Sequence, residues 1–469
     1  MSTARHIAAV SVFVATLLSA SCVKSYPDGL SEQEYRSRRY VNSFAKSIIE
    51  QYYLWKAEVQ QDLDSWKVTD NPAEKVKSLR YSDPELGPVD RWTTFIDDIE
   101  SFIGQINGNT TTFGLDFALS WGDADHSVIY PVITFVYKDS PAAEAGLKRG
   151  DVLTSINSQA VPVGSYQDFV KQTLLNSDHV EFTLRDGREI SLDARQMYCD
   201  PVVEKKIFEV DGSKIAYLFY TSYTMDSQDS LKAAFAQFKE AGARELILDL
   251  RYNAGGYDVT NRTLASLIAP SKAVENEEVF NVEIYNEDLA RYIDANTCFD
   301  KSCLEANIDA RSIVVIMTGS TASASEATIC GLDPYLPVFK LGTQSYGKFC
   351  GGFIFEGSEW YDSVKSGLTL SDWENGKRYA ANKGLYVMAS RYADRDGNTP
   401  CMPNGYTPDM KVSDNPLDGH QIGDPEETML SAALSLFTLD YGQTSSSQTK
   451  TDVPQLRFER PASGILILD

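Results

Sequence analysis

An α/β fold spread over several domains is what this sequence predicts. A chain of 469 residues is too long for one ordinary hydrophobic core. From about Pro201 to Phe437 apolar strand patterns and amphipathic helix patterns alternate, which implies a layered α/β core. Between about 111 and 197 the texture changes to short strands punctuated by tight turns, as in a small β domain. Together these features predict an α+β multidomain chain: a helical N-terminal domain over 31–110, a β domain over 111–197 and an α/β domain over 201–440, followed by a linker and tail over 441–469.

The first 21 residues stand apart from the rest. Arg5 and His6 precede the apolar run Ile7 to Leu18, and the small residues Ser19-Ala20-Ser21 lead to Cys22. That is the pattern of a secretory signal with a lipoprotein-type cleavage site, which makes Cys22 the expected point of lipidation and 22–30 a linker after it. The run is too short to span a bilayer, so any membrane attachment is expected through a lipid on Cys22. A secreted chain with an unmodified Cys22 is the other reading. Beyond the linker, Val41, Phe44, Ile48 and Tyr52 fall on one helical face, and Trp92, Phe95, Ile99 and Phe102 suggest a second amphipathic helix. Both stripes read as packing surface, with no chemistry assigned.

In the β segment, Phe113-Gly114-Leu115-Asp116-Phe117 is followed by the strand Val132 to Val136 and by Ser140-Pro141-Ala142-Ala143-Glu144-Ala145-Gly146-Leu147. Asp186-Gly187 between Val180–Leu184 and Ile190–Leu192 signals a hairpin. These features resemble a PDZ domain of the bacterial protease type. The resemblance implies that the turn Gly114, Leu115, Asp116 and Phe117 gathers backbone N–H groups around a peptide's terminal carboxylate while the peptide adds a strand to the sheet edge. A helix over about Tyr166 to Leu175 would wall that groove. The plainer reading is a small β domain that only spaces its neighbours.

In the α/β segment, the strand Ile215–Phe219 leads to a helix presenting Leu231, Phe235 and Phe238. The strand Leu246–Leu250 and a helix starting near Val259 follow. The apolar strands Ile313–Met317 and Leu336–Phe339 precede two polar segments, Ser320-Thr321-Ala322-Ser323-Ala324-Ser325-Glu326 and Ser345-Tyr346-Gly347-Lys348, and could carry both to one sheet edge. A serine hydroxyl needs a neighbouring base to become a nucleophile at neutral pH. A lysine supplies one only if an apolar pocket keeps its amine neutral. A Ser/Ala-rich turn is also an ordinary helix N-cap, so the serines alone do not decide.

The order and spacing of these segments resemble the C-terminal processing (tail-specific) serine peptidases, whose motif is Ser-Ala-Ser-Ala-Ser-Glu followed by Thr-Phe-Gly-Lys-Gly. Ser323 and Lys348 keep the family's spacing of twenty-five positions. Leu248-Asp249-Leu250-Arg251-Tyr252-Asn253-Ala254-Gly255-Gly256 is similar to the family's Asp-Leu-Arg-x-Asn-x-Gly-Gly segment. The resemblance runs from about Ser31 to about Phe437. It implies a crotonase-like spiral of ββα units in the catalytic domain, with Ser323 as nucleophile and Lys348 as base in a Ser/Lys dyad. Ala324 N–H, at the start of a helix over Ala324 to Leu332, would be one oxyanion donor, and Gly255 or Gly256 the second. Glu326 is expected to anchor the lysine loop rather than touch the amine. Two departures stand out: the family often has a glutamine four positions after the lysine, orienting it, where this chain has Gly352 and leaves the orienting partner of Lys348 unassigned, and Phe349 replaces the glycine after Lys348.

A net charge of −23 and the lack of Lys/Arg clusters argue against a nucleic-acid partner. Six cysteines follow Cys22, an even number that permits disulfides in an exported chain. Cys298 and Cys303 could close a small loop, and a Cys350–Cys401 pair would tether the lysine loop. No metal site or cofactor is expected, because Cys298 and Cys303 lack a second ligand pair nearby. The resulting expectation is a lipid-anchored serine endopeptidase of the bacterial cell envelope, periplasmic or outer-membrane associated. It would act on the C-termini of peptides or unfolded proteins. The alternatives are a non-catalytic peptide-binding envelope lipoprotein with the same fold, and a triad using His420.

Overall fold

The computed structural model describes residues 26–438, 455–456 and 465–467, so the expected signal and Cys22 lie outside the described residues. No helix among the described residues is long and apolar enough to cross a membrane. The architecture is mixed α/β, as the alternation implies. Its central sheet has six strands in the order Val202–Val210, Ser213–Tyr220, Glu245–Asp249, Ser312–Met317, Val338–Gly342 and Met410–Lys411. All neighbours are parallel except the first pair, a hairpin turned at Asp211-Gly212. Parallel strands buried on both faces call for unbroken apolar runs. Ile313 to Met317 supplies one and is buried throughout, with Val314 and Ile316 in one cluster with Met429 and Leu430 of the helix Thr428–Ser435. The fifth strand begins two residues later than its apolar run suggests, because Pro337 has no N–H to give a ladder and serves only as acceptor for Ile313.

A second sheet of seven strands stands against the first. Its main order is Gly255–Tyr257, Ile465–Ile467, Cys350–Glu356, Gly384–Ala393, Val279–Tyr285 and Asn296–Cys298, with Thr94–Ile96 also paired to Gly384–Ala393. Trp92 and Phe95 therefore precede and sit in a strand, and the helix starts only at Ile99, capped by Asp98. The apolar spacing from Trp92 to Phe102 fits a helix by period, yet Thr94, Phe95 and Ile96 suit a half-buried strand and find partners in Tyr386, Leu385 and Gly384. The first helix, Glu32–Tyr52, carries a full capping box from Ser31 and Glu34. It does not build a core of its own: Phe44, Ile48, Tyr53 and Trp92 join the same cluster as Leu218, Leu248 and Val315 of the central sheet.

The segment 111–197 has a separate small core around Phe117, Ile133, Leu153, Val180 and Phe182. The expected hairpin is present as His179–Leu184 and Glu189–Asp193, with Gly187 at φ +88°. The expected wall is a helix over Tyr166–Val170 that continues as a π-helix over Lys171–Leu175. All six described cysteines are free. Cys350 does not reach Cys401 because its sulfur packs 3.3 Å from Met388 Sδ, while Cys401 Sγ lies 3.2 Å from Tyr392 OH.

Candidate active site

Ser312–Met317 and Val338–Gly342 are adjacent parallel strands, so the loops leaving their C-terminal ends emerge side by side. One loop ends in Ser323 and the other in Lys348. Ser323 sits at φ +61°, ψ −116°, a backbone conformation that costs a non-glycine residue about 1–3 kcal/mol and marks a sharp strand-to-helix elbow. The helix Ala324–Leu332 starts immediately after it. Its side chain is fully buried, and Ser323 Oγ has no hydrogen-bond partner among the described residues. Ser325, the rival nucleophile, instead donates its hydroxyl to Asn253 O at 3.0 Å.

Glu326 holds the two loops together. Its carboxylate accepts from Ser323 N–H at 3.1 Å, Lys348 N–H at 2.8 Å, Gly347 N–H at 2.8 Å and the Ser345 hydroxyl. It contacts the lysine segment through backbone and not through the amine, the anchoring role expected of it. Tyr346 N–H bonds to Thr321 O, and the 401–406 loop covers the segment from outside through a Ser345–Tyr406 backbone bond.

Lys348 is fully buried, and burial lowers its amine from the usual lysine range to about 7, against weaker opposing pulls from Cys350, Asp90 and Glu326. Its Nζ donates to Tyr386 OH at 2.9 Å and lies 5.5 Å from the ring centre of Trp92. No hydrogen bond joins Nζ to Ser323 Oγ in this state; such contacts are often long until substrate is bound. The partner that the sequence left unassigned at Gly352 is thus Tyr386. A Cβ at Gly352 would lie 2.3 Å from Val387 O and 3.0 Å from the Tyr386 ring, so this backbone has no room for a glutamine there. Trp92 is in turn fixed by Asp90, whose Oδ1 accepts from Trp92 N–H at 2.9 Å and Thr93 N–H at 3.0 Å. Neither aromatic residue was assigned chemistry from sequence. Both stand far from the motif along the chain, and aromatic spacing alone does not separate a lysine pocket from ordinary core.

On the oxyanion side, Ala324 N–H is a first-turn helix amide with no partner among the described residues. The Gly255 N–H is committed to Asn253 Oδ1 at 2.9 Å, which removes it as a donor. Gly255 O and Tyr257 N–H both pair with Tyr223, so by strand alternation the Gly256 N–H points to the opposite side, where the strand Ile465–Ile467 runs alongside. Gly256 has φ +146°, and a Cβ there would strike Tyr223 O at 2.3 Å. Only glycine fits.

In the smaller domain Gly114 has φ +75°, and a Cβ would meet Ser140 Cβ at 2.1 Å. Its N–H donates to Thr112 Oγ1 at 3.1 Å. Leu115 begins the strand Leu115–Trp121 and is half-buried, whereas Phe117 belongs to the domain's core and Asp116 accepts from the Thr134 hydroxyl at 2.9 Å. His420 bonds Asp424 at 2.9 Å beside the outer strand Val202–Val210, and has no hydrogen bond to Ser323. His420, Asp424 and Glu426 bring ligand atoms within 4.8 Å of one another at the surface.

Residues 214–412 match peptidase family S41, and residues 132–184 match the PDZ domain. The chain is 23% identical over 323 residues to a carboxyl-terminal-processing protease of Synechocystis sp., covering 68% of this chain and 66% of that protein. It is 22% identical over 322 residues to a Staphylococcus aureus protein named as a CtpA-like serine protease, covering 66% and 57%. The chain thus spans somewhat less than two thirds of the length of either relative. A Bacteroides fragilis protein assigned to the S41 proteases has a crystal structure that superposes with a TM-score of 0.61 at 19% identity, over 89% of this chain and 98% of that one, which shows a common fold.

Proposed function

The chain belongs to the C-terminal processing serine peptidases of family S41 that carry a PDZ domain, and from that membership we propose that it is an endopeptidase working through a Ser323/Lys348 dyad. The observation that carries this reading is the pairing of an unpartnered, buried hydroxyl on a strained elbow with a buried lysine whose amine burial lowers to about 7. Lys348 takes the proton as Ser323 Oγ attacks a peptide carbonyl. The Ala324 and Gly256 N–H groups receive the charge that develops on the carbonyl oxygen, a stabilisation worth about 3 kcal/mol per donor. The amine, now protonated, returns the proton to the departing peptide nitrogen, and water then releases the acyl group from Ser323 by the same route.

The PDZ segment would select substrates by a free terminal carboxylate near Gly114 and Leu115. The test is one peptide made with a free and with an amidated C-terminus, incubated with the parent chain and with Ser323→Ala. Cleavage is expected to favour the free form and to disappear in Ser323→Ala at unchanged Tm. A variant that still cut would remove Ser323 from the mechanism, and equal cleavage of the two ends would remove carboxylate recognition. A purely binding protein would leave both peptides whole. We further propose that lipid on Cys22 holds the protein at a bacterial envelope membrane. Cys22→Ser should then move it from the membrane to the soluble fraction, and unchanged fractionation would refute the anchor.

A further inference from the structure

Two short strands from the far end of the chain occupy the places a peptide would need. Gln455–Leu456 pairs antiparallel with the outer edge of Leu115–Trp121, with Gln455 opposite Ser120 and Leu456 opposite Leu119. Ile465–Ile467 lies between Gly255–Tyr257 and Cys350–Glu356 and runs parallel to both. Ile465, Leu466 and Ile467 face Gly255, Gly256 and Tyr257 in turn, and Ile467 also faces Gly352. One flanking strand therefore carries the proposed oxyanion glycine, and the other begins two residues after Lys348. Ile467 is 5% exposed and packs into the main core. Without these strands, the PDZ edge and the cleft would each present unpaired backbone groups, the feature through which an extended peptide joins a sheet.

The direction of the chain separates a blocker from a substrate. A peptide held at its terminal carboxylate by the PDZ turn would meet Ser323 with residues upstream of that end. Here the order is reversed, with the earlier strand on the PDZ edge and the later one in the cleft. On the reading of Ser323 and the PDZ segment given above, we propose that Gln455–Leu456 and Ile465–Ile467 act together as an intramolecular inhibitor that must leave both places before a substrate enters. A tethered segment works at an effective concentration of about 1 mM, so even a site that binds the free segment at about 0.1 mM would be suppressed roughly tenfold.

The test uses the full chain. Gln455→Pro with Leu456→Pro removes both N–H groups of the PDZ-edge strand, and Ile467→Asp places a carboxylate at a buried position. The PDZ-edge change lies on an outer strand and serves alone should Ile467→Asp prevent folding. In a Ser323→Ala background, a fluorescein-labelled synthetic peptide with the sequence of residues 451–467 is titrated by anisotropy. Affinity is expected to rise at least tenfold in the combined variant and severalfold in the PDZ-edge variant, relative to the chain without them. With Ser323 retained, kcat/KM for a tail-bearing peptide should rise about tenfold. Equal peptide affinity with and without the substitutions would overturn the inhibitor. A gain in affinity with no cleavage by any chain would uphold occupancy of the cleft and refute the catalytic reading instead.

Discussion

For Lys348 to serve as the proposed base, two requirements oppose one another. A base must be neutral to accept a proton, yet a lysine left in water stays protonated to about pH 10.4. Burial among Trp92, Tyr386 and Cys350 resolves the conflict by penalising the cation, which brings the amine to about 7. Cleavage should therefore rise with pH through about 7 and level off above it. Tyr386 OH accepts from the amine, and an acceptor favours the charged form over the neutral one. Tyr386→Phe should then shift the rising limb below 7 while lowering kcat about tenfold, because the amine loses the bond that aims it. A limb that stayed in place would show that Tyr386 only packs. The same burial has a stability cost with a defined sign. The unfolded chain holds the lysine proton up to about pH 10.4, so the cost is complete below about pH 7 and fades as pH rises towards 10.

At the scale of elements, what the sequence revealed and what it concealed divide by distance along the chain. The helix Ala324–Leu332, the strand before it and the loop-anchoring carboxylate of Glu326 were all legible, because each is set by neighbours within a few residues. The Asp186-Gly187 hairpin was legible for the same reason. Trp92 and Tyr386 were not. They meet at Lys348 only because Thr94–Ile96 pairs with Gly384–Tyr386, a long-range pairing that has no local signature and that converts an apparently helical apolar spacing into a strand. The end of the chain read as a linker and tail, but Ile465–Ile467 is inserted between two strands of the second sheet. Gly352 looked like the loss of an orienting residue. In the fold it is a close approach, where the backbone of Val387 and the ring of Tyr386 take up the space a side chain would need.

Across the whole molecule, the PDZ segment and the catalytic domain are joined by one buried charge cluster. Arg149, from within the PDZ match, is 3% exposed and bonds Thr134 O at 3.1 Å, Tyr252 OH at 2.9 Å, Asp414 at 2.6 Å and Glu427 at 3.3 Å. Arg251 binds Asp249, Asp414 and Glu427 from the other side. Phe135 adds an apolar seam against Phe219 and Tyr252. Arg251 and Tyr252 open the segment that ends in Gly256, so the position of the PDZ segment and the proposed oxyanion donor depend on the same few side chains. Arg149→Met keeps most of the packing volume but leaves Asp414 and Glu427 with only Arg251 for a cation. Breaking a buried cluster in this way costs about 3–5 kcal/mol, because the remaining charges stay desolvated. Urea unfolding should register that loss directly. The functional consequence should be selective: kcat/KM for a long tail-bearing peptide should fall at least tenfold further than that for a short tail-less one. A peptide delivered by the PDZ segment depends on how that segment is docked, whereas a short one reaches Ser323 by itself. An equal fall for both peptides would mean that the cluster supports the catalytic strand alone and that the PDZ segment delivers nothing.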